Sequence, residues 1–117
     1  MMSSLSNRHC VPCEGSVPPL SRPKNLEYLK VVDQWQLVDD KAIEKILLFR
    51  NFKEAVAFIN KVAEIAEAEG HHPDILLFGW NKVKISLTTH AIGGLSDNDF
   101  ILAAKLDEIN PVRSSSR

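Results

Sequence analysis

Three of the four histidines in this chain lie in two short segments that follow predicted regular structure. His71 and His72 come directly after Gly70, and His90 ends a strand-like run of alternating residues. Glycine is the usual left-handed residue at the end of a helix, and Pro73 prevents the helix from restarting. The free carbonyl groups at a helix C-terminus favour the imidazolium form of a nearby histidine. These residues therefore indicate acid and base catalysis, for which imidazole is suited near neutral pH.

Two acidic residues, Glu67 and Glu69, precede these histidines in the last turn of the predicted helix. Negative charge is unfavourable at that end of a helix, so the two carboxylates indicate a use other than helix stability. Taken singly, each histidine is also compatible with a structural role. His71 and His72 could cap helix carbonyls, and a histidine at a strand end is more often structural than catalytic. The presence of three together favours a functional site.

Composition restricts the class of protein. The 117 residues are 44% hydrophobic and 25% charged, which predicts one soluble globular domain. A net charge of −1 and the lack of a basic stripe argue against direct binding of nucleic acid. Apolar runs such as residues 46–49 and 75–78 are far shorter than the ~20 residues of a membrane span. The N-terminal residues contain no apolar signal-peptide core, so we expect a cytoplasmic protein, with organellar targeting left open.

Residues 1–20 are rich in serine, proline and small polar residues and predict a mobile arm that does not pack in the core. The arm carries a Cys-x-x-Cys pair, Cys10 and Cys13. A structural or incidental role is favoured for it, because there is no second cysteine pair and no strand-to-helix context. The alternative is a weak zinc site in which His9, Cys10 and Cys13 are completed by another residue or chain. The folded domain is predicted to span residues 21–110, and residues 111–117 form a polar tail.

Apolar periodicity predicts the order α-β-β-α-β-β-α. A helix capped by Ser21 is followed by strands over 35–38 and 43–49, a helix with apolar periodicity over 52–66 that stops at Gly70, strands over 75–78 and 83–87, and a last helix that ends at Ile109. Ser96 and Asp99 form a capping-box pattern at the start of that helix. The prediction is an α+β fold: a four-stranded antiparallel sheet with three helices on one face, leaving the other face for water or a partner chain. Trp35 and Trp80 are expected in the core or an interface.

The combined motifs resemble the pterin-4a-carbinolamine dehydratase family, also described as the dimerisation cofactor of a hepatocyte transcription factor. The resemblance covers residues 21–109 and rests on Glu67-x-x-Gly70-His71-His72-Pro73, Val83-x-x-x-x-x-Thr89-His90 and Gly94-Leu95-Ser96-x-x-Asp99. It implies a hydro-lyase that dehydrates 4a-hydroxytetrahydropterin to quinonoid dihydropterin, in the recycling of tetrahydrobiopterin. It also implies a homodimer or homotetramer, a pterin as the small-molecule partner, and no metal or other cofactor.

Matched by position, the resemblance implies that the catalytic residues are His71, His72 and His90. We expect His71 and His90 to do most of the acid and base work, and His72 to bind or orient the pterin. The other substrate-binding residues expected are Glu67, Asp74 and Thr89. Glu67, one helical turn before His71, could instead orient a histidine. Gly70 stands where many members carry Asn or Asp, so a side-chain hydrogen bond made there is absent here.

Two other classes of function remain possible from the sequence. The first is a non-catalytic binding, assembly or dimerisation module on the same fold, since a fold does not determine an activity. The second is a metal hydrolase that uses the histidines with Glu67 or Asp74. Adjacent His71 and His72 cannot easily face one ion, and no established metal motif is present, so this reading is disfavoured.

Overall fold

The computed structural model describes residues 3–11 and 18–109. Its helices are α1 (Ser3–Ser6), α2 (Arg22–Leu29), α3 (Phe52–Glu69) and α4 (Asp97–Ile109), and its strands are β1 (Gln36–Val38), β2 (Ala42–Leu48), β3 (Asp74–Phe78) and β4 (Lys82–Leu87). A short 3-10 turn covers His90–Ile92. The strands form one antiparallel sheet in the order β1-β2-β4-β3. The α+β fold and the order of its three long helices and four strands are therefore confirmed.

Capping residues set the ends of the long helices. The Ser21 hydroxyl accepts a hydrogen bond from the Lys24 N–H at the start of α2. The Asn51 side chain does the same for the Glu54 N–H of α3, at 2.8 Å. Gly70 ends α3 with a φ of 68°, a conformation that glycine adopts without steric cost. The chain therefore leaves α3 immediately before His71. In the described ranges, no helix combines the length and apolar character that a membrane crossing needs.

The sheet has a buried inner face and an open outer face. In the two central strands, Ile43 lies opposite Leu87 and Leu47 opposite Val83. These side chains and that of Ile85 are almost completely buried, and they pack with the inward residues of α3 and α4. Side chains alternate between the faces of a strand, so their neighbours point outward. The core thus lies on the side of the sheet that holds the long helices.

A buried ionic cluster lies at the end of this core. Lys45 points inward from β2, and its ammonium group donates to Asp107 of α4 at 2.9 Å. The same carboxylate accepts from the Trp35 indole N–H and the Asp33 backbone N–H. Burial raises the pKa of Asp107, against the lowering effect of Lys45 and the two N–H donors. Trp35 is buried as predicted, and it helps to join the start of β1 to α4.

The outer face carries exposed apolar side chains. Ile46, Leu48 and Leu76 are 60%, 59% and 51% exposed, and Lys84 lies between Ile46 and Leu76 in the strand register. Trp80 is 61% exposed in the turn between β3 and β4, so it is outside the core of this chain. Its φ of 58° is uncommon for a bulky residue. This surface is the face for which a partner chain is predicted.

The expectation that the N-terminal arm does not pack in the core is wrong for part of its length. Leu5 is only 4% exposed and belongs to the hydrophobic core. The Lys105 ammonium group donates to the Ser6 carbonyl at 2.8 Å, which fixes α1 on α4. Leu5 and this hydrogen bond hold the segment on the domain, and the amino-acid composition of residues 1–20 does not show them. Cys13 and the predicted tail lie outside the described residues, so the role of the Cys-x-x-Cys pair stays a prediction.

Candidate active site

The shortest polar contact at the predicted site joins His71 to Asp99. The His71 Nε2 atom lies 2.6 Å from Asp99 Oδ1. His71 stands in the loop after α3, whereas Asp99 is the third residue of α4, so the contact connects the end of one helix to the start of the other. The Asp99 side chain is completely buried, and the His71 side chain is 12% exposed. One edge of the imidazole is therefore anchored while the ring keeps access to solvent.

Asp99 is held by two further donors. Its Oδ2 atom accepts from the Thr89 hydroxyl at 2.8 Å and from the Ser96 backbone N–H at 3.0 Å. The Ser96 contact confirms the predicted capping box, in which the third helical residue bonds back to the N-cap N–H. A buried carboxylate requires such partners, because an unpaired charge in the interior is costly. Asp99 thus serves as a helix cap and as the partner of His71.

This arrangement fixes the direction of several hydrogen bonds. An ionised carboxylate can only accept, so the His71 Nε2–H and the Thr89 hydroxyl both donate to Asp99. The Thr89 oxygen lies 2.8 Å from the Ser96 hydroxyl, which then donates to Thr89 and accepts from the Asn98 N–H. With Nε2 occupied, Nδ1 is the atom of His71 that can take up or release a proton. Within the described ranges, no protein partner occupies it.

His72 has a different partner. Its Nε2 atom lies 2.7 Å from Glu67 Oε2, one turn back on α3, and both side chains are largely exposed. The sequence had suggested that Glu67 could orient a histidine, and the structure places the two in contact. Asp74 is exposed at the first position of β3, two residues after His72. His71 and His72 therefore bond to separate carboxylates on opposite sides of the loop.

His90 follows Thr89 and opens the 3-10 turn, which ends at Gly93 with a φ of 68°. The Thr89 N–H donates to the Gly94 carbonyl at 2.8 Å, and this bridge closes the loop. The His90 side chain is exposed. Because Thr89 bonds to Asp99 and Asp99 bonds to His71, a continuous chain of hydrogen bonds connects the two histidine-bearing segments. The structure thus brings the two motifs together through a buried carboxylate.

Sequence reasoning missed the role of Asp99. The residue was interpreted as a helix cap within a family motif, although a buried carboxylate opposite a histidine is a common way of orienting imidazole. Nothing in the local sequence shows that the start of α4 meets the end of α3. In the part of the chain that the structure describes, no group of three His, Cys, Asp or Glu residues is arranged to hold a metal ion. The described residues therefore do not supply the ligands that a metal hydrolase would need.

Comparison with known proteins places the chain in a family. A sequence model of pterin 4 alpha carbinolamine dehydratase matches residues 18–109. The chain belongs to the pterin-4a-carbinolamine dehydratase family. A relative from Rubrobacter xylanophilus, provisionally named a pterin-4-alpha-carbinolamine dehydratase, is 44% identical over 92% of this chain and 100% of its own length. A relative from Nitrosomonas eutropha with the same provisional name is 48% identical over 88% of this chain and 90% of its own length.

Two solved structures are also similar to this family member. One is a transcriptional coactivator/pterin dehydratase from Brucella melitensis, which is 32% identical, has a TM-score of 0.74, and is matched over 79% of this chain and 98% of its own. The other is a pterin dehydratase-like protein described as a RuBisCO assembly factor in the alpha-carboxysome. It is 25% identical, has a TM-score of 0.55, and is matched over 67% of this chain and 88% of its own. The fold is thus found in proteins with different described roles.

Proposed function

We propose that this protein is a 4a-hydroxytetrahydropterin dehydratase that works by histidine acid and base catalysis. The reaction breaks the bond between C4a and the hydroxyl oxygen, removes the proton from N5 and forms a double bond between C4a and N5. One proton goes to the departing hydroxyl, which leaves as water, and one proton returns to the protein from N5. The protein therefore ends the cycle with the protons it started with. The product, a quinonoid dihydropterin, would return to the tetrahydrobiopterin pool.

The observation that carries this proposal is the pairing of His71 with the buried Asp99. A carboxylate at Nε2 fixes the ring orientation and leaves Nδ1 to exchange a proton with substrate. It also stabilises the imidazolium that forms when Nδ1 takes up a proton, as the aspartate does in other histidine-carboxylate pairs. The His71 side chain also keeps some exposure to solvent, which a proton-transfer group needs.

The remaining residues receive roles that fit their surroundings. His90 is proposed as the second proton-transfer group, since the hydrogen-bond chain through Thr89 fixes the segment that carries it. His72, oriented by Glu67, and the exposed Asp74 are proposed to bind the polar edge of the pterin ring. The Thr89 hydroxyl is already used by Asp99 and Ser96. We therefore assign Thr89 to holding Asp99 instead of to contacting the pterin.

Direct assay of dehydration tests this function. The 4a-hydroxy compound is generated in solution by an aromatic amino-acid hydroxylase, and its conversion to the quinonoid dihydropterin is followed by absorbance against the spontaneous rate. The expected result is an acceleration that is proportional to protein concentration. Dialysis against a chelator should leave the rate unchanged. Absence of acceleration would contradict the proposal, and chelator-sensitive activity restored by zinc would favour the metal hydrolase.

A second candidate is a binding or assembly module, and the exposed apolar residues of the outer sheet face favour it. The assembly factor among the similar structures shows that a pterin dehydratase-like chain can have such a described role. One variant distinguishes the two candidate functions. Leu76→Glu should abolish binding of a partner to the outer face and preserve pterin turnover if turnover is the function of the histidines. An inactive wild-type chain that forms a complex through this face would instead support the module.

A further inference from the structure

The segment from Arg8 to Val11 runs along the end of α3. There, the Cys10 backbone N–H donates to Glu69 Oε1 at 2.8 Å, and His9 Nδ1 lies 3.0 Å from Glu69 Oε2. The Glu69 side chain is only 8% exposed. This carboxylate was conspicuous in the sequence because it lies at the unfavourable end of the helix dipole. Its partners are this segment and, at 3.6 Å, the Lys105 ammonium group of α4.

The same segment is bound from its other side by α4. The Val11 N–H donates to Asn98 Oδ1 at 3.0 Å, and Asn98 Nδ2 donates to the Val11 carbonyl at 2.6 Å. The Asn98 amide therefore pairs with the backbone of one residue as a neighbouring strand would. The Cys10 thiol also donates to the Asn98 carbonyl, at 3.6 Å between sulfur and oxygen. Asn98 is almost completely buried in this position.

Each of the two anchor residues, Glu69 and Asn98, lies just before one member of the His71 and Asp99 pair in the sequence. Glu69 lies two residues before His71, and Asn98 lies one residue before Asp99. Residues 8–11 thus bond to the end of α3 and to the start of α4, the two helix ends that must meet for His71 to contact Asp99. It lies outside residues 18–109, which the family model matches. Leu5, three residues before this segment, packs in the core and holds α1 to the domain.

We propose that residues 8–11 position the catalytic imidazole, with Glu69 and Asn98 as positioning residues that act through the loop of His71 and the first turn of α4. The proposal rests on the proposed dehydratase function, because it assumes that His71 transfers a proton. Proton transfer is sensitive to misplacement of about 1 Å, and such a shift can cost on the order of 10²-fold in rate. A bridge between α3 and α4 restricts that movement. Glu69 and Asn98 both bond to backbone groups of the arm. The positioning of His71 therefore depends more on the backbone conformation of residues 8–11 than on the side chains that they carry.

The leading test changes only the arm. Val11→Pro removes the N–H that Asn98 accepts, and Val11→Ala retains it. Val11 is largely exposed, so neither change disturbs the core. Docking is measured by iodoacetamide alkylation of Cys10 in a Cys13→Ser background, since release of the segment exposes the thiol. Positioning is measured by the NMR signals of the His71 ring nitrogens and by kcat and KM.

We expect Val11→Pro to accelerate alkylation of Cys10 at least about 10-fold, to shift the His71 ring signals, and to lower kcat about 10-fold with little change in KM. Val11→Ala should resemble the unmodified protein in all three. Faster alkylation with unchanged His71 signals and unchanged kcat would overturn the proposal. Unchanged alkylation would also overturn it, because the Asn98 contact would then not hold the segment.

A second pair of variants approaches the segment from α3. Glu69→Ala removes the acceptor for the Cys10 N–H, whereas Glu69→Gln retains an acceptor oxygen. We therefore expect Glu69→Ala to lower kcat and shift the NMR signals of the His71 ring nitrogens, and Glu69→Gln to be much closer to the unmodified protein in both. Glu64→Ala is the matched control on the exposed side of the same helix. If the unmodified protein does not dehydrate the pterin, the proposed function fails. The alkylation and NMR results then still decide whether the segment positions His71.

Discussion

His71 and Asp99 are separated by 28 positions in the chain, and their side chains meet at 2.6 Å across the gap between α3 and α4. The contact explains why an acidic residue occupies the third position of α4. It caps the helix through one oxygen and orients an imidazole through the other. The site therefore depends on two helix ends that are defined separately in the sequence, by Gly70 and by the capping box.

Asp99→Asn is expected to lower kcat by at least ~10²-fold, because the amide can offer a donor to Nε2 and cannot stabilise the imidazolium as a carboxylate does. KM should change much less, since Asp99 is buried and does not contact the pterin. Steady-state kinetics on the two proteins measures this. The matched control is Glu64→Gln, which removes one carboxylate charge from the surface of α3. Equal kcat values for Asp99→Asn and the control would contradict the assigned role.

Thr89→Val should destabilise the fold by roughly 1–3 kcal/mol, since a buried carboxylate loses one of its donors. Thr89→Ser keeps the hydroxyl and should recover most of the free energy of unfolding. Denaturant titration of the three proteins gives these values. If Val and Ser prove equally stable, the hydroxyl bond to Asp99 is not part of the support for the site. If Thr89→Val lost more free energy of pterin binding than free energy of unfolding, Thr89 would instead be assigned to substrate binding.

The docked N-terminal segment should be most stable between about pH 4.5 and pH 9. Burial and the nearby Glu69 charge raise the pKa of the Cys10 thiol from 9.0 to about 12. A raised folded-state pKa stabilises docking below the ordinary value, and this contribution is lost as the pH rises through the folded one. Burial opposes ionisation of Glu69, but the bonds from the Cys10 N–H and His9 outweigh it and lower its pKa below 4.5. That contribution is therefore present above the ordinary value and is lost as the pH falls.

Trypsin cleavage after Arg8, followed by mass spectrometry, measures this docking. Cleavage at pH 10 should be faster than at pH 7 after correction with a peptide substrate, and Cys10→Ser should reduce the difference. Glu69, Asp99 and Lys105 also carry charge near the thiol, and His9 contacts Glu69. The serine variant is therefore needed to assign the change to Cys10. A pH-independent cleavage rate would contradict the prediction.

The outer face of the sheet predicts self-association. Exposed Ile46 and Leu48 of β2 and Leu76 of β3 form an apolar surface on the outer face, on either side of β4. Closed two-fold assembly is the commonest arrangement of soluble oligomers. We expect a homodimer or homotetramer at micromolar concentration, with a mass by light scattering at least twice the 13.1 kDa of the chain. Leu76→Glu should lower that mass, whereas Lys53→Glu, on the exposed side of α3, should not. A monomer alone in the unmodified protein would contradict the prediction.

The sequence predicted most of the fold because its local signals agree with one another. Ser21, Asn51 and Gly70 lie where helices begin or end, and the alternation in residues 83–87 matches the buried and exposed sides of β4. The apolar periodicity of the predicted α3 begins at Phe52, but the Phe52 side chain is 54% exposed. Helical periodicity does not show how far around the helix the core extends.

The candidate site was predicted in part. Glu67 lies one helical turn before His71, and that spacing suggested that it could orient a histidine. The histidine that it contacts is His72, five residues further along the chain, because the chain leaves the helix at Gly70. Asp99 and the arm were missed as parts of the site because their contacts depend on how α3, α4 and the N-terminal segment pack. Such distant contacts leave no periodic pattern in the sequence. Leu5 is the clearest case, since an isolated apolar side chain in a polar segment packs in the core.

The most direct test of the account is the rate of pterin dehydration by the unmodified protein, by His71→Ala, by His90→Ala and by the double variant. Each single change should slow the reaction by at least ~10²-fold, because each removes one proton transfer. The double variant should approach the spontaneous rate while retaining the fold by circular dichroism. Full activity in the folded double variant would contradict histidine catalysis at this site.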